Sequence, residues 1–213
     1  MVFEDRNEAG HILAEKLGSI DNPNCVVVGL ARGGVVVGAA IAGELKIPLD
    51  VLVIKKISSP QSQELGIGAL APDGVYFVDW KLAAMLGADE AYVNSKIKQL
   101  SEEMRQTVKY YRKFVKPVKL NGKTVILTDD GVATGATIKA AVRWLKTKSV
   151  SRIIPAIPVA PAGFAASIRS CVTGVIILQE QQNLIAVGDY YRQFGQVSEG
   201  HVIELLGKGV GSM

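Results

Sequence analysis

The chain has 213 residues, 48% of them hydrophobic and 21% charged, enough for one well-buried domain of ordinary soluble composition. Its 24 basic and 20 acidic side chains leave a net charge of +4, which suits a small polyanion and lacks the dense basic clusters of a nucleic-acid arm. Two cysteines are too few for a disulfide scaffold, so Cys25 and Cys171 are expected as buried thiols in a reducing, cytoplasmic setting.

The opening Phe3-Glu4-Asp5-Arg6 is wrong for a signal peptide, and the apolar stretches are broken by Arg32 or by glycine far short of a membrane span. Ile12, Leu13, Leu17 and Ile20 predict an amphipathic helix after Asp5. Cys25–Leu30 is a continuous apolar run, the pattern of a strand buried on both faces. A small-residue helix over 34–45 and a strand over 49–54 complete a βαβ unit. Residues 55–74 hold Ser58-Ser59-Pro60, Gly66-Ile67-Gly68 and an Asp73-Gly74 turn, which together predict a mobile loop and a hairpin before a strand over 75–78.

Val93, Ile97, Leu100, Met104, Val108, Tyr111 and Val115 recur at intervals of three and four and call for a long amphipathic helix. Asn121-Gly122 turns the chain into a strand, Thr124–Thr128, followed by a helix over 136–148 and a strand over 152–158. Pro161 is placed to open a helix through Ser170, a strand follows over 172–178, and Ser198 can cap a last helix through Leu206. Alternating strands and helices predict an α/β fold with a mainly parallel sheet flanked by helices. We read residues 1–213 as one domain, with its core over about 24–178 and an irregular C-terminal part beyond.

The sharpest chemical signal is Val-Ile-Leu-Thr-Asp-Asp-Gly-Val-Ala-Thr-Gly-Ala-Thr over residues 125–137. A buried strand ends in two adjacent carboxylates, and a loop of small and hydroxyl residues leads straight into a helix. The helix N-terminus offers unpaired N–H groups to a phosphate, small residues let it approach, and two carboxylates suit the vicinal hydroxyls of a sugar. In open α/β folds ligands bind at this carboxyl edge. A second glycine-rich segment, Gly29-Leu30-Ala31-Arg32-Gly33-Gly34, follows the first strand. It is not the Gly-x-Gly-x-x-Gly dinucleotide fingerprint, and no acid ends the second strand, since Asp50 begins it.

Residues 125–137 resemble the motif with which type I phosphoribosyltransferases bind 5-phosphoribosyl-1-pyrophosphate (PRPP), and the resemblance covers the core from about Val26 to Leu178. It implies that Asp129 and Asp130 bind the ribose hydroxyls. Gly131 and Val132 then lead into a 5′-phosphate loop of Ala133, Thr134, Gly135, Ala136 and Thr137. The segment Ala31, Arg32, Gly33 and Gly34 matches the family's pyrophosphate loop, often built on a non-proline cis peptide, here between Ala31 and Arg32. Lys55-Lys56 and Glu64–Leu70 stand in the place of the family's flexible catalytic loop, which implies Lys55 or Lys56 near the pyrophosphate. The aromatic run Tyr190-Tyr191 falls in its variable hood, where Tyr190 is a candidate to stack on a base.

The same resemblance implies a homodimer and Mg2+ as cofactor, carried by PRPP and water with Asp129 and Asp130 within reach. The implied reaction moves the phosphoribosyl group to a base or amine acceptor and releases pyrophosphate, with Asp129, Asp130 and Arg32 as its central residues. Two departures narrow the acceptor. Ala133 stands where the 6-oxopurine enzymes carry an aspartate base, and Ile157-Pro158-Val159-Ala160 offers no lysine to read a purine oxygen. Hypoxanthine and guanine are therefore not expected. The alternatives are a PRPP- or nucleotide-binding regulator without turnover and an α/β hydrolase, whose Gly-x-Ser-x-Gly elbow is absent.

Overall fold

Cys25–Leu30 is apolar and buried at every position, as a strand covered on both faces must be. In the computed structural model, which describes residues 1–18 and 24–210, this strand is β1. Around it the chain builds α1 (Arg6–Leu17), α2 (Gly33–Leu45), β2 (Leu49–Leu52), β3 (Lys55–Ser58), β4 (Gly66–Leu70) and β5 (Tyr76–Val78). Then follow α3 (Trp80–Met85), α4 (Glu90–Tyr111), β6 (Thr124–Thr128), α5 (Ala136–Lys146), β7 (Arg152–Pro161), α6 (Phe164–Ile168), β8 (Ile176–Gln181) and α7 (Glu199–Val210). Ile20, the last member of the stripe expected on the first helix, lies outside the described residues.

The main sheet has the order β2-β1-β6-β7-β8, and every neighbouring pair is parallel. Helices cover both faces, which is the α/β architecture that the alternation of elements predicts. Asp5 caps α1 by accepting from the N–H groups of Asn7 and Glu8. At the other end of the chain Ser198 Oγ accepts the His201 N–H at 3.1 Å and caps α7. Val202 and Leu206 of α7 are fully buried in the main core, so this helix is a layer of the fold rather than part of the irregular C-terminal segment.

The largest departure lies between β2 and α3. Residues 55–74 hold the expected hairpin, with β3 and β4 as its antiparallel arms and 59–65 as their connection, but β5 extends it into a three-stranded antiparallel sheet, β3-β4-β5. The cause is burial: Ile57, Ile67 and Leu70 are closed into the core, and the sheet rests on α5. Arg143 Nη1 donates to the Tyr76 carbonyl at 2.8 Å, while Trp144 Nε1 and Lys148 Nζ both donate to the Asp73 carboxylate. Helix α4 ends earlier than its stripe, at Tyr111. Just beyond its end, Arg112 Nη1 donates to buried Asp50 at 2.6 Å, and Asp50 also accepts the Val118 N–H at 3.0 Å. Asp50 is thereby committed to the fold.

Pro161 closes β7 instead of opening a helix, paired across to Gln181, and α6 starts only at Phe164. Strand β8 accordingly begins later than expected and runs on to Gln181. Cys25 is buried as expected, but Cys171 is exposed, in a short turn after α6 that has no buried residue of its own. Among the described residues no helix is long and apolar enough to cross a membrane.

Candidate functional site

Strands β1 and β6 are neighbours in register, with Gly29 opposite Thr128, so the chain leaves both at one edge of the sheet. From β1 it passes through Ala31 and Arg32 into α2; from β6 it passes through Asp129 and Asp130 toward α5. The two connections touch. A methyl group placed on Gly34 would sit 2.7 Å from the Thr128 carbonyl oxygen and 2.8 Å from the Asp129 Cα, and one on Gly33 would sit 1.9 Å from Asp130 Oδ2. Only glycine lets the entry of α2 lie against the acid pair. The Ala31–Arg32 peptide bond is cis, and the Ala31 N–H donates to the Leu52 carbonyl at 3.0 Å, which aligns this loop with the end of β2. Arg32 itself is exposed at the start of α2.

Both carboxylates are half-buried. Burial pushes the Asp129 carboxyl well above the usual range, and the neighbouring Asp130 charge pushes it further. Burial raises Asp130 as well, but the Arg6 guanidinium opposes that rise. Arg6 Nε donates to Asp130 Oδ2 at 2.8 Å, with side-chain exposures of only 10% and 19%. Tyr191 Oη donates to the Asp130 backbone carbonyl at 2.6 Å, so Asp130 is held at both its side chain and its main chain.

The chain after the acids is built for a close approach by an anion. Val132 is buried and its N–H donates to the Val159 carbonyl at 2.9 Å, which pins the loop to β7. Ala133 and Thr134 are exposed, Gly135 takes a left-handed conformation (φ 79°), and Ala136 and half-buried Thr137 open the first turn of α5. Small side chains, two hydroxyls and a helix N-terminus thus stand beside two carboxylates and the Arg32 loop. Among the described residues no three His, Cys, Asp or Glu side chains gather as a metal site. The acid pair brings two carboxylates to this edge, and they fit a magnesium ion that takes its other ligands from substrate phosphates and water.

A family model described as the phosphoribosyl transferase domain matches residues 4–192 of this chain, which takes in the acid pair, the loop around Arg32 and the segment bearing Tyr191. The chain belongs to the phosphoribosyl transferase family. Two Mycobacterium tuberculosis proteins provisionally named phosphoribosyl transferases are 33% identical over 205 residues, 96% of this chain. The chain spans 46% of the length of these curated relatives. The crystal structure of TT1426 from Thermus thermophilus is similar over 99% of this chain and 100% of that one, with 33% identity and a TM-score of 0.81. AQ2163 from Aquifex aeolicus, 14% identical with a TM-score of 0.51 over 84% of this chain and 76% of that one, shares the fold.

Within this phosphoribosyl transferase domain the sheet brings together the residues of two of the four expected groups. Asp129 to Thr137 and Ala31 to Gly34 meet at one edge. Lys55 opens β3 just beyond the β2 end that Ala31 contacts, and is half-buried. Lys56 is exposed and turned to the β3–β4 connection, where its Nζ donates to the Glu64 carbonyl at 3.1 Å. Tyr190 packs with Phe3 and Ala9, and its carbonyl accepts the Phe3 N–H at 2.8 Å; the tyrosine that reaches the acid pair is the next one, Tyr191. Arg6 was missed. One signal pointed to it: a cation in the first turn of a helix opposes the helix dipole, so another interaction has to hold it there.

Proposed function

We propose that this chain transfers the 5-phosphoribosyl group of PRPP to a nitrogenous acceptor and releases pyrophosphate. The observation that carries this reading is the contact between the acid pair ending β6 and the glycine loop ending β1, which sets a sugar-binding group beside an anion-binding group. In this reading Asp129 and Asp130 accept hydrogen bonds from the ribose 2′ and 3′ hydroxyls. The first turn of α5, with Thr134 and Thr137, holds the 5′-phosphate. Arg32 and the N–H groups of Gly33 and Gly34 hold the pyrophosphate. Ligands in these two loops fix C1′ between them, and an acceptor nitrogen on the opposite face displaces pyrophosphate with inversion. Asp129 and Asp130 are the residues that would help hold a magnesium ion arriving with PRPP, and such an ion would offset charge on the leaving group.

The acceptor half is defined by what is missing. Exposed Ala133 supplies no base, and Ile157, Val159 and Ala160 are fully buried in β7 with no charged reader among them. A screen of bases and amines with PRPP and magnesium, read by pyrophosphate release, is expected to give turnover with an acceptor outside the 6-oxopurines. Turnover of hypoxanthine or guanine would overturn this assignment of Ala133. Tight PRPP binding with no release for any acceptor would favour the second reading, a regulator that uses the same donor site as a sensor.

Arg32→Ala separates the two loops. Loss of one charge-assisted contact, worth about 1.5–3 kcal/mol, is expected to weaken pyrophosphate roughly 10- to 100-fold while ribose 5-phosphate binding changes little. Equal losses for the two ligands in calorimetry would mean that Arg32 shapes the loop without touching pyrophosphate.

A further inference from the structure

Arg6 joins parts of the chain that are far apart in sequence. Its Nε donates to Asp130 Oδ2 at 2.8 Å, its Nη1 donates to the Gly195 carbonyl at 2.9 Å, and its guanidinium carbon lies 3.9 Å from the centre of the Phe194 ring. Phe194 stacks on Tyr191 with ring centres 5.0 Å apart, and Tyr191 Oη donates to the carbonyl of the same Asp130. The segment carrying these aromatics is tied to the start of the chain by three backbone bonds: Phe3 N–H to Tyr190, Arg192 N–H to Phe3 and Gln193 N–H to Glu4. A methyl on Gly33 would come within 3.1 Å of Arg6 Nε, so the pair also lies against the α2 entry.

We propose that Arg6 is a positioning residue, a latch that couples the order of residues 191–197 to the ribose-binding carboxylate. The proposal rests on the donor reading given above. Arg6 donating to Oδ2 orients the Asp130 carboxylate and leaves Oδ1 clear of this bond for a ribose hydroxyl. The guanidinium serves two acceptors from different nitrogens while its face lies on a ring; a lysine ammonium supplies the charge but neither the fork nor the plane. Because the link is energetic it works in both directions: donor binding protects the 191–197 segment, and loosening that segment weakens the donor site.

The test uses the whole chain with Arg6→Lys, Arg6→Gln, Asp130→Asn and the Arg6→Gln/Asp130→Asn pair, each first checked for a cooperative melt. Amide exchange of residues 191–197, measured without ligand, is expected to quicken at least about 10-fold in Arg6→Gln and in Asp130→Asn, with no further gain in the pair, since neighbours sharing one link are not additive. Arg6→Lys, which keeps the charge, is expected to quicken it as Arg6→Gln does. Calorimetry with Mg–PRPP is expected to show losses of about 30-fold for Arg6→Gln, while inorganic pyrophosphate, which has no ribose hydroxyl to offer Asp130, stays within about 3-fold. Unchanged exchange in Arg6→Gln, additive effects in the pair, full rescue by Arg6→Lys, or equal losses of PRPP and pyrophosphate would each overturn the latch. If the unaltered chain binds no PRPP, the donor reading fails. The ligand-free exchange arm then still decides whether Arg6 holds the segment to Asp130.

Discussion

Changing Asp129→Asn together with Asp130→Asn is expected to weaken Mg–PRPP binding by at least ~100-fold. Each carboxylate in the proposed pose accepts a hydrogen bond to a charged group worth about 1.5–3 kcal/mol, so the pair accounts for about 3–6 kcal/mol, or two to four decades in affinity. The neutral amides keep the shape of the acids; Arg6 loses its charged partner at 130, but the buried strand β6 is untouched, so the fold is expected to survive. Both acids are held in the desolvated edge at a cost, visible in the upward push of burial on each carboxyl, and the amides remove that cost. A melting temperature close to that of the parent with a steep loss of PRPP affinity is therefore the expected pairing. Unchanged PRPP affinity in a folded double variant, read by calorimetry, would sink the ribose assignment.

Gly34→Ala is expected to lower stability by about 3 kcal/mol, the upper part of the usual range for overpacking. The reason lies in what the added methyl meets. Its two nearest neighbours are main-chain atoms, the Thr128 oxygen at 2.7 Å and the Asp129 Cα at 2.8 Å, and neither moves without shifting β6 or α2. For a domain of this size that loss lowers the melting temperature by roughly 6–12 °C. The shift also parts the two loops of the site, so Mg–PRPP affinity is expected to fall in the fraction that stays folded. A variant that melts and binds like the parent would show that the loops tolerate separation. Gly43→Ala, in the same helix with nothing within 4 Å of the added methyl, is the control and is expected to be neutral or slightly stabilising.

The elements that a single sequence announces well here are those whose neighbours agree. Cys25–Leu30 and Thr124–Thr128 are buried along their whole length, so their apolar runs and their boundaries coincide with the strands. The elements that it hid are those where a residue's local preference is overruled by burial. Gly66-Ile67-Gly68 has the composition of a loop, yet it opens β4, because Gly68 lets the Phe77 carbonyl approach to where a side chain would stand. Pro161 has the chemistry of a helix opener, yet it ends an interior strand at the point where its missing N–H costs least.

The same division runs through the site. The succession of strand, two acids, small-residue loop and helix is a matter of adjacent residues, and so is the glycine-rich exit from β1; local sterics and hydrogen bonding dictate both, and residues 29–34 and 124–137 alone were enough to read them. Which residues come to meet the acids was decided by the tertiary structure. Arg6 lies 124 positions before Asp130 and Tyr191 lies 61 positions after it, and no periodicity or motif spans such separations. They arrive because the sheet order puts β1 beside β6, α1 packs along α2, and the chain beyond β8 returns to bond with Phe3 and Glu4. A half-buried carboxylate pair needs a cation and a donor to hold it, and only the packed fold can say from which part of the chain they come.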